Sequence, residues 1–106
     1  MQDKTGKRAA ILVADGFEQV EMTEPRKALE EAGYLTEIIS PEKKEVQGWK
    51  HHDKGDKFPV QASLTEVDPS DYDVLLLPGG VANPDKLRTI PQAVEFVKSF
   101  FRDQRH

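Results

Sequence analysis

The sequence contains no cysteine. That excludes disulfides, zinc–thiolate sites and a thiol nucleophile within these 106 residues. No apolar run approaches the roughly 20 residues that cross a bilayer as a helix. Met1 to Arg8 is polar and is not followed by the apolar core of a secretory signal, so we expect a cytoplasmic protein with no membrane partner. Basic residues do not dominate: 15 Lys and Arg stand against 19 Asp and Glu, for a net charge of −4. A basic field that would attract nucleic acid is therefore missing. The one basic cluster, Lys98, Arg102, Arg105 and His106, suits the C-terminal end of a helix. There is no G-x-G-x-x-G fingerprint, because the first apolar run leads into Asp15-Gly16-Phe17-Glu18. We expect no cofactor. Internal repeats and low-complexity stretches are also absent.

What is present is the pattern of an α/β domain. Hydrophobic residues make up 37% and charged residues 32% of the chain, an ordinary balance for one small domain or part of one. Ala9 to Ala14 is a continuous apolar run, which suits a parallel strand covered on both faces. Glu18 to Ala32 reads as a helix, with Pro25 either in its first turn or kinking it and Gly33 as its C-terminal stop. Leu35 to Ser40 is a second strand, closed by Pro41. Glu42 to Gln61 reads as a polar β-hairpin, with Val46 and Val60 on its arms. Asp68-Pro69-Ser70 signals a turn, Asp73 to Leu77 a third core strand, and Pro84 to Arg88 a short helix. Pro91 opens a last helix with two apolar ridges, Ile90/Val94/Val97/Phe101 and Phe96/Phe100.

Strand, helix, strand, hairpin, strand and helix in this order imply right-handed crossovers and a parallel sheet ordered 2-1-3. The fold class expected is α/β: a flavodoxin-like parallel sheet with helices on both faces, incomplete at its C-terminal side, plus a hairpin excursion at about 44–61. In such a sheet, sites form at the carboxyl ends of the strands. Two features converge there. One is the acidic start of the first helix, Glu18, Glu21 and Glu24. Glu18 and Glu21, three apart, share a helical face; they either complement the helix dipole or aim a carboxyl group into the crevice for proton exchange. The other is Pro78-Gly79-Gly80, whose backbone N–H groups suit a tight turn, an oxyanion hole or a small anion nest. His51 and His52 adjoin on a strand and so point to opposite faces; we expect no metal there. Trp49 and Phe58 read as packing or contact residues. Ser63, Ser70 and Ser99 lack the strand–turn–helix setting of a nucleophile.

In order and spacing, these pieces resemble the DJ-1/PfpI family of the class I glutamine amidotransferase-like fold. The matching segments are Ala10 to Glu21, then Pro25, Leu29 and Ala32-Gly33, then Asp71 to Gly80, then Asn83-Pro84-Asp85 and Leu87-Arg88. The stretch from Trp49 to Asp56 resembles the bacterial PfpI-type protease/amidase and stress-protein branch. The resemblance implies a cysteine nucleophile at a strand-to-helix elbow. It implies that Glu21 is that thiol's acid partner, that Glu18 lines the same crevice, and that the backbone at Gly79 and Gly80 forms the oxyanion hole. Asp85 is the matching candidate for an acid that reaches a neighbouring subunit in a homo-oligomer. Substrates of the family type would be a small carbonyl or aldehyde, a glycated group or a peptidyl amide, turned over by hydrolase, glyoxalase or deglycase chemistry.

We therefore expect residues 1–7 to be a disordered or tag-like N-terminus. Residues 8–106 should form the N-terminal portion of a single such domain, without its nucleophile and without catalysis of its own. Two other readings stand beside this one. The first is a shortened, non-catalytic interaction or chaperone-like module that self-associates through an open sheet edge. The second is a flavodoxin-like module that binds an anion at Gly79-Gly80.

Overall fold

The structure, a computed structural model, describes residues 7–41, 44–50, 53–78 and 87–104. His51, His52, Gly79, Gly80, Asn83, Pro84, Asp85, Arg105 and His106 lie outside the described residues, as do residues 1–6. The main sheet is parallel and ordered β6-β3-β1-β7, from Ala62–Ser63 (β6), Leu35–Ser40 (β3), Arg8–Leu12 (β1) and Val74–Leu76 (β7). The three core strands expected from the sequence thus take the 2-1-3 order. β6 adds a fourth strand that two residues could not announce.

β1 sits centrally, and Ala9 through Ala14 are fully buried, as a parallel strand covered on both faces requires. Its side chains alternate between two cores. Ala10, Leu12 and Ala14 join Ile39, Leu64, Tyr72, Phe96 and Phe100 beneath the C-terminal helix Pro91–Gln104, here α2. Ile11 and Val13 join Phe17, Met22, Ile38 and Val46 on the other side. That side is covered by helix α1, Val20–Glu31, and by the hairpin.

α1 begins two residues later than the sequence pattern predicts, at Val20, and holds Pro25 in its interior. Pro25 has no N–H to give to the carbonyl one turn earlier. The helix ends in a Schellman motif: Tyr34 N–H reaches Leu29 O at 2.9 Å and Gly33 N–H reaches Glu30 O at 3.1 Å. Gly33 has φ 96° there, a conformation that favours glycine. Only Met22 of α1 is buried, and Arg26 and Glu30 further along the helix bond the Thr36 hydroxyl of β3. α2 starts at Pro91 as the sequence predicts. Its buried stripe is Ala93, Phe96 and Phe100, whereas Phe101 is 60% exposed; the i, i+3, i+7 spacing of the small and aromatic residues sets the face.

The excursion is larger than a hairpin. β4 (Glu45–Lys50) and β5 (Asp53–Pro59) pair antiparallel, and a short β2 (Phe17–Glu18) adds to β4 in parallel. Phe17 is buried with its ring centroid 5.8 Å from that of Phe58. Beyond β6, Ser63 and Asp68 cap two short 3₁₀ turns. The described chain opens with Lys7, whose carbonyl accepts Leu35 N–H.

Across the floor of the sheet, Arg8, Glu37 and Tyr72 close a polar cluster. Arg8 donates to both Glu37 carboxylate oxygens at 2.9 Å, and Tyr72 Oη–H donates to Glu37 Oε1 at 2.7 Å. The guanidinium also lies 4.9 Å from the centroid of the Tyr72 ring. Burial of the phenol, then the Glu37 carboxylate it bonds, push its pKa well above the ordinary tyrosine value, with the Arg8 charge opposing them. The cluster ties β1, β3 and the entry to β7 together at the end of the sheet away from the strand C-termini. The sequence does not show it, because Arg8 and Tyr72 stand 29 and 35 positions from Glu37 and meet it only on folding.

Candidate functional site

The carboxyl ends of β1 and β7 define the site. The register pairs Ile11 with Leu76, so the two chains leave the sheet side by side. On the β1 side the ladder extends to Val13 N–H, which reaches Ile39 O at 3.1 Å. Asp15-Gly16 then turns the chain, with Gly16 at φ 96°. Two bonds pin this turn to β4: Asp15 Oδ1 accepts Gln47 N–H at 2.9 Å, and Gly16 N–H reaches Gln47 O at 3.0 Å. On the β7 side Leu77 is 44% exposed and Pro78 is buried. The oxyanion-hole candidates Gly79 and Gly80, and the candidate trans-subunit acid Asp85, lie outside the described residues.

The two acids are placed differently from the sequence expectation. Glu18 is not in the helix; it ends β2, paired with Trp49. It therefore does not share a helical face with Glu21, because the chain is still extended there and becomes helical only at Val20. Glu21 lies in the first turn of α1 and is exposed. Both remain at the carboxyl edge of β1. Glu18 lines a hollow of about 280 Å³ with Gln19, Val20, Thr23 and Lys50, which brings a cation to the same rim. Glu21 is at the helix N-terminus, where a carboxylate meets the positive end of the dipole.

The residue that sequence reading missed is Gln19. Its backbone N–H reaches Trp49 O at 2.8 Å. Its side-chain amide grips Asp56 twice: Oε1 accepts Asp56 N–H at 2.7 Å and Nε2 donates to Asp56 Oδ2 at 2.9 Å. The amide lies over Gly48 and Gly55, and a Cβ at Gly55 would collide with Gln19 Oε1. Gln19 thus locks the acid-bearing segment to the hairpin. The paired glycines Gly48 and Gly55, on facing arms, were the available signal for such a close approach.

The serine hydroxyls are engaged locally. Ser63 Oγ is 3.0 Å from Thr65 Oγ1, Ser70 Oγ donates to Asp68, and Ser99 Oγ accepts from Arg102. Among the described residues no group of three His, Cys, Asp or Glu could hold a metal, and no helix is long and apolar enough to cross a membrane.

A parallel sheet with helices on both faces and an acidic strand-to-helix turn after its central strand makes this an α/β protein, a class that commonly builds its sites at the strand C-termini. The DJ-1/PfpI family model matches residues 7–106, and the chain belongs to that family. It is 45% identical over 100 residues to the putative cysteine protease YraA of Bacillus subtilis, covering 93% of this chain and 56% of that protein. It is 41% identical over 101 residues to general stress protein 18 of the same organism, covering 94% of this chain and 56% of that protein. The chain therefore spans little more than half the length of these relatives. A DJ-1 superfamily protein of Salmonella typhimurium superposes with a TM-score of 0.78 at 23% identity, over 92% of this chain and 51% of that one. At that identity the likeness speaks for the fold alone.

Proposed function

We propose that this chain is the acid and oxyanion-hole portion of a cysteine-dependent hydrolase or lyase of the DJ-1/PfpI kind. The observation that supports the reading is the strand-to-helix turn beyond the carboxyl end of β1, the strand next to β7, with Glu18 and Glu21 on the segment that follows. In the full-length parent a thiolate attacks a carbonyl or aldehyde carbon. Glu21 holds or exchanges the thiol proton, and the N–H groups of Gly79 and Gly80 take the developing oxyanion. These residues contain no cysteine, so in this reading the nucleophile is supplied by another part of the parent. Family membership and the naming of a 45% identical relative as a putative cysteine protease support this reading.

The test is turnover of methylglyoxal and of a peptidyl amide by the full-length parent. Glu21→Gln should lower kcat by about 10²–10⁴-fold, the usual worth of a positioned acid or base. Activity equal to that of a Cys→Ala control would sink the proposal.

A second reading is favoured by one observation: among the described residues β7 is the last strand of the sheet, and Leu77 beside it is exposed. An unpaired strand edge is a template for strand pairing. In this reading the chain is a non-catalytic module that forms homo-oligomers through β7. Sedimentation of residues 1–106 as a monomer across a concentration series would refute it.

A further inference from the structure

The outer face of the three-stranded sheet carries a second hollow that the proposed chemistry does not use. We propose that it binds a small ligand bearing a carboxylate or phosphate on a planar body. Alternation along β4 puts Gln47 and Trp49 on one face and the buried Val46 on the other. Cross-strand partners share a face, and Lys54 is opposite Trp49 while Lys57 is opposite Gln47. In a regular strand, residues three apart point to opposite faces. Here a bulge between those two pairs adds one residue to β5 and turns both ammonium groups to the Trp49 side. Bulges re-aim side chains in this way.

The bulge is firmly held. Gln19 clasps it through Asp56, and Gln47 Nε2 donates to Gly55 O at 3.0 Å. The resulting hollow of about 400 Å³ is lined by Trp49, Lys54, Lys57, Gln47, Asp15 and Glu45, and Val46 also borders it. That volume falls in the range of small-molecule sites, roughly 300–1,000 Å³. Trp49 is half-buried, while Lys54 and Lys57 are exposed. Among the described residues, neither ammonium group makes an ion pair or a side-chain hydrogen bond.

An anion between the two ammonium groups relieves their mutual repulsion, and a flat body on Trp49 adds stacking. The acids sit away from that corner or are already engaged. Asp15 Oδ1 accepts Gln47 N–H, and Glu45 lies at the far end of β4, opposite Pro59. They oppose an extended polyanion and confine the ligand's charge to the lysine end. The net charge of −4 points the same way.

Trp49 is the only tryptophan in the chain, so its fluorescence reports the site directly and needs no nucleophile. We expect phenyl phosphate and benzoate to change that emission saturably at low salt; the stronger of the two identifies the anion. Benzylamine, the same ring with the opposite charge, should bind at least about tenfold more weakly, as should inorganic phosphate without the ring. Lys54→Ala/Lys57→Ala should weaken phenyl phosphate by about tenfold or more, and Lys54→Arg/Lys57→Arg should restore it, because the charge is retained. Equal binding of benzylamine, equal binding of inorganic phosphate, an unaffected double-alanine variant or a featureless titration would each overturn the proposal. The ligand comparisons use the unmodified protein, so they decide even if a variant misfolds.

Discussion

Replacing Gly55 with alanine tests how the acid-bearing segment is held. Gly55 does not have positive φ, so alanine meets no backbone penalty there. Its Cβ would instead strike Gln19 Oε1 and drive the amide off Asp56. Two hydrogen bonds are then lost, at 2.7 Å and 2.9 Å, the second to a carboxylate. A neutral bond contributes about 0.5–1.5 kcal/mol and one to a charged group about 1.5–3, with the lower values applying where solvent competes. We expect a loss of about 2 kcal/mol, a large share of the ~5–15 kcal/mol that holds a domain together. In a Gln19→Ala background the obstacle is gone. A tight contact with the backbone Gly48 O at 3.3 Å remains, and it offsets the roughly 0.5–1 kcal/mol by which alanine outperforms glycine in a strand. Gly55→Ala should then be close to neutral. Urea midpoints for the four proteins of this cycle give the coupling, which should be about 2 kcal/mol. Additivity within about 0.5 kcal/mol, the behaviour of independent sites, would refute the clasp.

Other perturbations separate the remaining contacts. Tyr72→Phe removes the bond to Glu37 and should cost about 1–2 kcal/mol at neutral pH, read by denaturant unfolding. The folded state raises the phenol's pKa, so above the unfolded value of 10.0 the unfolded chain binds fewer protons and stability falls as pH rises. Tyr72→Phe should abolish that part of the alkaline loss, measured by unfolding between pH 9 and pH 11, the window bracketing an ordinary tyrosine pKa of about 10. Gly33→Ala forces a side chain into φ 96° and should cost about 1–2 kcal/mol of thermal stability. Phe96→Ala should cost about 3–5 kcal/mol, whereas Phe101→Ala, on the exposed side of α2, should stay within about 0.5 kcal/mol; calorimetry distinguishes them.

The contrast between Phe96 and Phe101 shows what the sequence can and cannot display. Both lie on a broad apolar stripe, and only the position of the sheet decides which one is buried. β1 was legible because a doubly covered parallel strand is a continuous apolar run; β3 and β7 were legible as short apolar runs, Ile38-Ile39 and Val74 to Leu76, set between turn residues. The turns at Gly33 and Pro91 were legible because few residues suit those backbone positions. β2 and β6 were not, since two-residue strands exist only through their partners, Gly48-Trp49 and Ile39-Ser40. The same blindness misplaced Glu18: period-3.6 reasoning extended α1 backward into residues that β4 holds extended. The network of Gln19, Gly48, Gly55 and Asp56 links segments 29 or more positions apart and emerges only on folding. The candidate acids were legible by residue type and order, but their separation onto a strand and a helix was not.

The most direct test of the proposed role compares turnover of methylglyoxal and a peptidyl amide by residues 1–106, by the full-length parent, and by its Cys→Ala and Glu21→Gln variants. The reading requires turnover by the parent alone. Cys→Ala should abolish it, Glu21→Gln should cut it by about 10²-fold or more, and residues 1–106 should show none. Turnover by residues 1–106 alone, or by the Cys→Ala parent at the unmodified rate, would contradict it.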